Sequence, residues 1–225
     1  MSNYIWCEDS GSGFLFWKKL FKTLYPEAIV ESKSNNSRLR QAVSRIKDDG
    51  NQYYIIMDTV IDNPDVIREV SKLKRDVQGK GNVCLINIVS FEYVLLTFEL
   101  LANWVFAEDD RLKDNRKDIL EVRQLLIRGG GQTELEKCKD KFPYVEKHNL
   151  EQIYAKMLFE ITKNTGFETD KGHLGECFVN SCCEWGERGA DDICGLDESR
   201  LDTKEKIKQI VEHSILKDAL GKVGL

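Results

Sequence analysis

An open, mostly parallel α/β sheet followed by a helical extension is the fold class this sequence predicts, and three observations predict it. Four short apolar runs, at Asn3–Glu8, Ala28–Glu31, Tyr53–Met57 and Val83–Val89, are spread through the first half of the chain. Each gap between them carries helical periodicity, the alternation that builds βαβ units with right-handed crossovers. After Val89 strand signals almost vanish while helical patterns continue.

The elements follow in order. Tyr4, Ile5, Trp6 and Cys7 read as a buried strand, closed by the turn Asp9-Ser10-Gly11-Ser12-Gly13. Phe14, Phe16, Trp17, Leu20, Phe21 and Leu24 then recur at helical spacing, with Lys18, Lys19 and Lys22 on the wet face and Pro26 at the exit. After the second strand, Asn36 or Ser37 caps a helix carrying Leu39, Ala42, Val43 and Ile46 that stops at Gly50. The continuous run Tyr53–Met57, ending in Asp58, is what a central strand buried on both faces requires. Asn63-Pro64 opens a third helix with proline in its first turn, and Gly79 to Gly81 ends it. The fourth strand is followed by Ser90-Phe91-Glu92 and one strongly apolar helix, 93–106. Further helices are expected over 109–128, 149–165 and 203–220, with Gly129-Gly130-Gly131 as a hinge. The chain is therefore expected to divide into an α/β domain, 1–107, and a helical region, 108–225.

Of 225 residues, 33 are Lys or Arg and 38 Asp or Glu, a net charge of −5 that argues against a broad nucleic-acid coat but allows a local basic groove. With 41% hydrophobic residues and 3 prolines the chain can bury a real core, which excludes the disordered and collagen classes. The apolar stretch from Tyr93 to Phe106 is interrupted by Thr97, Glu99 and Asn103 and is too short for a bilayer. No leader-like run precedes Ile5, so the expected location is cytoplasmic, without membrane attachment.

In open α/β sheets, ligands bind beyond the carboxyl ends of the strands, and here those ends deliver Glu8, Asp58 and Glu92. Carboxylates suit a hard divalent ion, which takes one or two of them and leaves the rest of its shell to water and phosphate. Such a site would polarise a phosphodiester, with Glu8 as general acid or base. The same residues are equally suited to favour the dipoles of the helices they precede.

A strand ending in Cys7-Glu8, a Gly/Ser-rich turn and helix, a strand ending in Asp58, and Ser90-Phe91-Glu92-Tyr93 together resemble the TOPRIM domain, nearest to the RloB-like and other defence-associated TOPRIM-like families. The resemblance covers residues 3–107. It implies a Rossmann-like sheet, catalytic Glu8, Asp58 and Glu92, and Mg²⁺ or Mn²⁺ held by Glu8, Asp58 and Asp62. The activity it implies is nuclease-type cleavage of nucleic acid in bacterial or phage defence. Two positions depart from the pattern. Val60 stands where the family has its second aspartate, with Asp62 about 7 Å further along an extended chain, and Asp9 replaces a glycine. The alternative reading is a catalytically degenerate TOPRIM-like module that binds or senses with a protein partner.

Of the seven cysteines, Cys7 and Cys84 read as core. Four others lie in the Cys/His-rich segment 173–194, His173-x3-Cys177-x4-Cys182-Cys183-x10-Cys194. His173, Cys177, Cys182 and Cys194 are candidate ligands for a structural Zn²⁺. The usual C-x2-C knuckle is missing, so buried structural cysteines and a reactive thiol remain open readings. His148 and His213 read as surface or capping residues, and Trp185–Asp192 as an ordered surface loop or a partner contact.

Overall fold

The structure, a computed structural model, describes residues 1–106, 111–128, 132–170, 173–183, 194–196 and 199–225. The Gly129–Gly131 hinge, the Trp185–Asp192 loop and the start of the 109–128 helix lie outside them. Four strands, β1 (Asn3–Cys7), β2 (Ile29–Ser32), β3 (Gln52–Asp58) and β4 (Val83–Ile88), form one open sheet in the order β2-β1-β3-β4. All three pairings are parallel, with Cys7 opposite Ser32 on one side and Ile56 on the other, and Asp58 opposite Ile88. The chain runs outward from β1 to β2, crosses back to β3 and continues to β4. The direction of winding therefore reverses between β1 and β3.

Three helices connect the strands: α1 (Ser12–Leu24), α2 (Asn36–Ser44) and α3 (Pro64–Val77). Because strand side chains alternate, each strand feeds two cores. Tyr53, Ile55 and Met57, with Tyr4, Trp6, Val83 and Leu85 beside them, pack against Leu39, Val43 and Leu73 of α2 and α3. The alternate residues Ile5, Cys7, Ile56, Ile86 and Ile88 are buried on the opposite face, which α1 covers with Phe16, Trp17, Leu20 and Phe21, all fully buried. Each such side chain contributes roughly 2–3 kcal/mol of burial free energy. The third helix starts where Asn63 accepts from the Asp65 and Val66 N–H groups ahead of Pro64. The second is capped by Asn35, one residue before the expected position, and ends at Ser44 rather than at Gly50. Gly50, at φ +76°, makes the turn into β3 instead.

The chain forms two compact units, Met1–Val94 with Ile215–Leu225, and Leu95–Ser214, where the sequence suggested 1–107 and 108–225. The last helix, Leu216–Gly221, packs on β4 and belongs to the sheet unit.

Helices predicted as continuous are interrupted, and the breaks have identifiable causes. The expected 93–106 helix is two, α4 (Phe91–Thr97) and α5 (Leu101–Val105). Arg123, 2% exposed, donates to the Leu96 and Phe98 carbonyls at 2.8 and 2.7 Å, taking acceptors that a continuous helix would use itself. Burial pulls its pKa down to about 10, still charged at neutral pH. The 109–128 helix is likewise split into α6 (Arg111–Asn115) and α7 (Lys117–Ile127) at Arg116, whose guanidinium donates to the carbonyls of Leu112, Glu160 and Lys163. A short helix α8 (Gln132–Glu136) and a single 3-10 turn (Pro143–Glu146) lead to α9 (Leu150–Thr162), which Asn149 and Gln152 close with a capping box. A one-turn helix α10 (Glu176–Val179) precedes α11 (Thr203–Glu212). The expected 203–220 helix breaks at His213, whose carbonyl accepts from Glu99 N–H at 2.9 Å while its ring Nδ1 lies 3.6 Å from the Glu99 carboxylate. His148, too, has partners: Nδ1 meets the Tyr144 carbonyl at 2.9 Å and the two rings stack at 3.5 Å. Among the described residues no helix is long and apolar enough to cross a membrane.

Candidate functional site at the carboxyl edge of the sheet

The reversal of winding between β1 and β3 opens a crevice at their carboxyl ends, the place where doubly wound sheets bind ligands. Glu8 directly follows β1 and Asp58 is the last residue of β3. The fold brings them together across the crevice: Glu8 Oε1 accepts the backbone N–H of Asp58 at 2.5 Å. Glu8 is 9% exposed, so its carboxylate is held in place rather than waving in solvent. Neither partner is near the other in sequence, and only the parallel β1–β3 pairing places them side by side.

Around this pair the strand ends are pinned. Lys33 N–H donates to the Cys7 carbonyl at 2.7 Å and Thr59 N–H to the Val89 carbonyl at 3.0 Å, which extends both ladders to the crevice. Asp9 turns its carboxylate back over the start of α1, and Trp17 Nε1 donates to it at 2.9 Å. Gly13 leaves the room: a Cβ there would stand 2.6 Å from the Asp9 Cγ. Ser32 Oγ donates to the Asp9 carbonyl at 2.5 Å. Asp9 is thus a fastening of the β1–α1 turn to both α1 and β2, a role that the acidic label alone did not reveal. Sequence could have signalled it through the buried glycine four residues on. The Cys7 thiol beneath is pushed far up, first by burial and then by the neighbouring Asp9 carboxylate, and stays protonated.

The other expected site residues come from neighbouring elements. Glu92 stands in the first turn of α4, beyond β4, whose axis lies about 10 Å from β1 at ordinary strand spacing. Its helix starts with Ser90 Oγ accepting from Tyr93 N–H at 3.2 Å. Val60 is 1% exposed and belongs to the core, while Asp62 sits half-buried in the turn before α3. Among the described residues no three His, Cys, Asp or Glu side chains stand together as a set able to hold a metal ion. What the edge offers is a pair of carboxylates, an all-oxygen donor set of the size that Mg²⁺ accepts when water and phosphate complete its shell.

The candidate cations differ in availability. Lys33 is committed to Glu31 at 2.7 Å and to the face of Trp6 at 3.9 Å. Arg40 bridges Glu69 and Asp76, tying α2 to α3. Lys18 and Arg38 are exposed and Lys19 is half-buried. In the second unit a cavity of about 670 Å³ is lined by Arg116, Tyr144, Lys156 and Lys163 among others. Lys156 and Lys163 both bind Glu160, and the Arg116 guanidinium donates to backbone carbonyls.

None of the seven cysteines is in a disulfide. Cys84 is half-buried and Cys138 buried. Cys177, Cys182, Cys183 and Cys194 belong to the second unit, where burial pushes the Cys177 thiol up and the Lys206 ammonium draws it back. His173, the expected fourth ligand, is exposed, and its backbone closes a two-bond bridge with Asp170. No protein-family model, curated protein or solved structure matches the chain.

Proposed function

We propose that the sheet unit is a TOPRIM-like, Mg²⁺- or Mn²⁺-dependent nuclease module acting on nucleic acid phosphodiesters in the cytoplasm, in bacterial or phage defence. The single observation that supports this reading is the Glu8–Asp58 pair at the winding reversal of an all-parallel sheet. When bound, the metal ion would be held by Glu8 and Asp58 and would supply charge neutralisation at a phosphodiester. The chain's own residues do the rest. The Asp58 N–H keeps the Glu8 carboxylate fixed, and Glu8 takes or gives the proton. Lys18 and Arg38 are the exposed cations for the nucleic acid backbone. Metal-dependent cleavage of labelled DNA or RNA that is lost in Glu8→Gln tests the reading.

One observation favours a second reading. Val60, at the place of the family's second aspartate, is packed into the core, so the edge has two carboxylates where an active family member has three. On that reading the module binds or senses with a protein partner and does not cut, and wild type and Glu8→Gln are equally inactive.

A further inference from the structure

The outward face of α1 is apolar at one end and cationic at the other. Its 13 residues, Ser12–Leu24, include Lys18, Lys19 and Lys22 and no Asp or Glu, in a chain whose net charge is −5. Elsewhere in the sheet unit cations are interleaved with carboxylates: Arg40 with Glu69 and Asp76, Lys72 with Glu69, and Arg68 with Asp65. Gly13, Phe16, Trp17, Leu20 and Phe21 form the buried side of α1, so at about 3.6 residues per turn the opposite side consists of Phe14, Leu15, Lys18, Lys19 and Lys22. Lys18 and Lys22 are exposed, Leu15 is 54% exposed and Phe14 is half-buried.

The order along the helix matters. The chain enters α1 from the carboxyl edge of the sheet, directly after the turn that follows Glu8, so Phe14 and Leu15 stand in its first turn, at the crevice end. Phe16, on the buried side of the same turn, lies 5.1 Å ring centre to ring centre from Phe91, which fixes this end of the helix beside the start of α4. Phe14, Lys18 and Lys22 follow one another at four-residue steps, which sets them in a row with about 6 Å of rise between neighbours. The Lys18 ammonium lies 5.9 Å from the centre of the Phe14 ring, and Lys22 Nζ donates to the Pro26 carbonyl at 3.0 Å.

We infer that this face of α1 binds single-stranded nucleic acid, with a base stacked on Phe14 at the crevice and successive phosphates on Lys18 and Lys22. The inference rests on the reading of the Glu8–Asp58 edge as a phosphodiester site. An aromatic ring followed by a row of cations is the combination that strand-binding surfaces use, since every base has a π-face and every linkage a phosphate. The lysine step of about 6 Å is close to the spacing of phosphates along an extended strand. A duplex keeps its bases stacked on one another and offers this face only phosphates, which leaves Phe14 and Leu15 without a partner. A membrane-surface helix needs an apolar face along its whole length, whereas the apolar part of this face is a single turn.

The test is fluorescence anisotropy of labelled oligo(dT), oligo(U) and an oligo(dT)·oligo(dA) duplex with the full chain and no divalent metal, so that binding is read apart from cleavage. A single strand is expected to bind more tightly than the duplex, and Phe14→Ala to weaken that binding about tenfold. Phe14→Trp keeps a ring at this half-buried position and is expected to restore it, which separates stacking from the effect of truncation on the fold. With Lys18 and Lys22 both changed to Ala, the slope of log K against log salt is expected to become shallower by about 1.4, which is about 0.7 for each lost phosphate contact. No binding of either strand, a duplex bound as tightly as the strands, or binding that Phe14→Ala leaves unchanged overturns the inference, as does stronger retention on phosphatidylserine vesicles than on either strand. If these variants are unresponsive while the chain still cleaves nucleic acid, the inference alone fails. Single-strand binding with the expected responses in a chain that cleaves nothing supports the inference and contradicts the nuclease reading.

Discussion

The backbone N–H of Asp58 donates to Oε1 of Glu8 at 2.5 Å, joining two residues fifty positions apart at the one place where the winding of the sheet reverses. This bond gives Glu8 a structural and a chemical task, and different substitutions separate them. Glu8→Ala leaves a buried N–H without its acceptor and is expected to cost roughly 1–3 kcal/mol. Glu8→Gln keeps an acceptor of the same shape and is expected to unfold within about 1 kcal/mol of wild type. Urea denaturation of the three proteins checks this order.

Val60→Asp creates the Asp-x-Asp pattern of the TOPRIM-like families the sequence resembles but puts a carboxylate into the core, since Val60 is 1% exposed. The expected outcome is a loss of roughly 3 kcal/mol or more of stability and no gain in cleavage. Calorimetry alongside a cleavage assay measures both, and a stable, more active variant would show that the 59–62 segment turns Val60 toward the edge.

Gly13→Ala places a methyl 2.6 Å from the Asp9 Cγ and must displace the carboxylate that Trp17 Nε1 holds. We expect a shifted Trp17 indole N–H resonance and a destabilisation of roughly 1–3 kcal/mol. An unmoved indole resonance would mean that Asp9 is not held by Gly13 and Trp17 as described.

Glu69 gives a pH signature. Its hydrogen bond from Lys72, and then that from Arg40, hold its carboxyl below the ordinary value of 4.5. The folded state thus binds this proton less readily than the unfolded chain, so its contribution is complete above about pH 4.5 and fades as the pH falls through the folded-state pKa. The stability gap between wild type and Glu69→Gln is expected to be roughly 0.5–1 kcal/mol at neutral pH and to close in acid. A gap independent of pH would point to packing instead.

Much of the sheet unit was legible in the sequence because its signals are local. The four strand positions follow from apolar runs bounded by turns, and the start of α3 from Asn63-Pro64. The convergence of Glu8 and Asp58 was legible too, as a rule about strand ends. What sequence did not reveal are effects of distant partners. Arg123 and Arg116 look like surface charges on a polar helix, yet each is buried and breaks a helix by taking or crossing its carbonyls. Val60 looks like a missing ligand and is a core residue. Among the cysteines, spacing pointed to His173 as a fourth ligand, and the fold leaves it exposed with its backbone bridged to Asp170.

The most direct measurement is cleavage of end-labelled single- and double-stranded DNA and RNA with Mg²⁺ or Mn²⁺, comparing wild type with folded Glu8→Gln. The account predicts cleavage by wild type that requires the metal and falls at least about a hundredfold in the variant. Cleavage that survives Glu8→Gln unchanged, or no cleavage of any substrate by wild type, would contradict it.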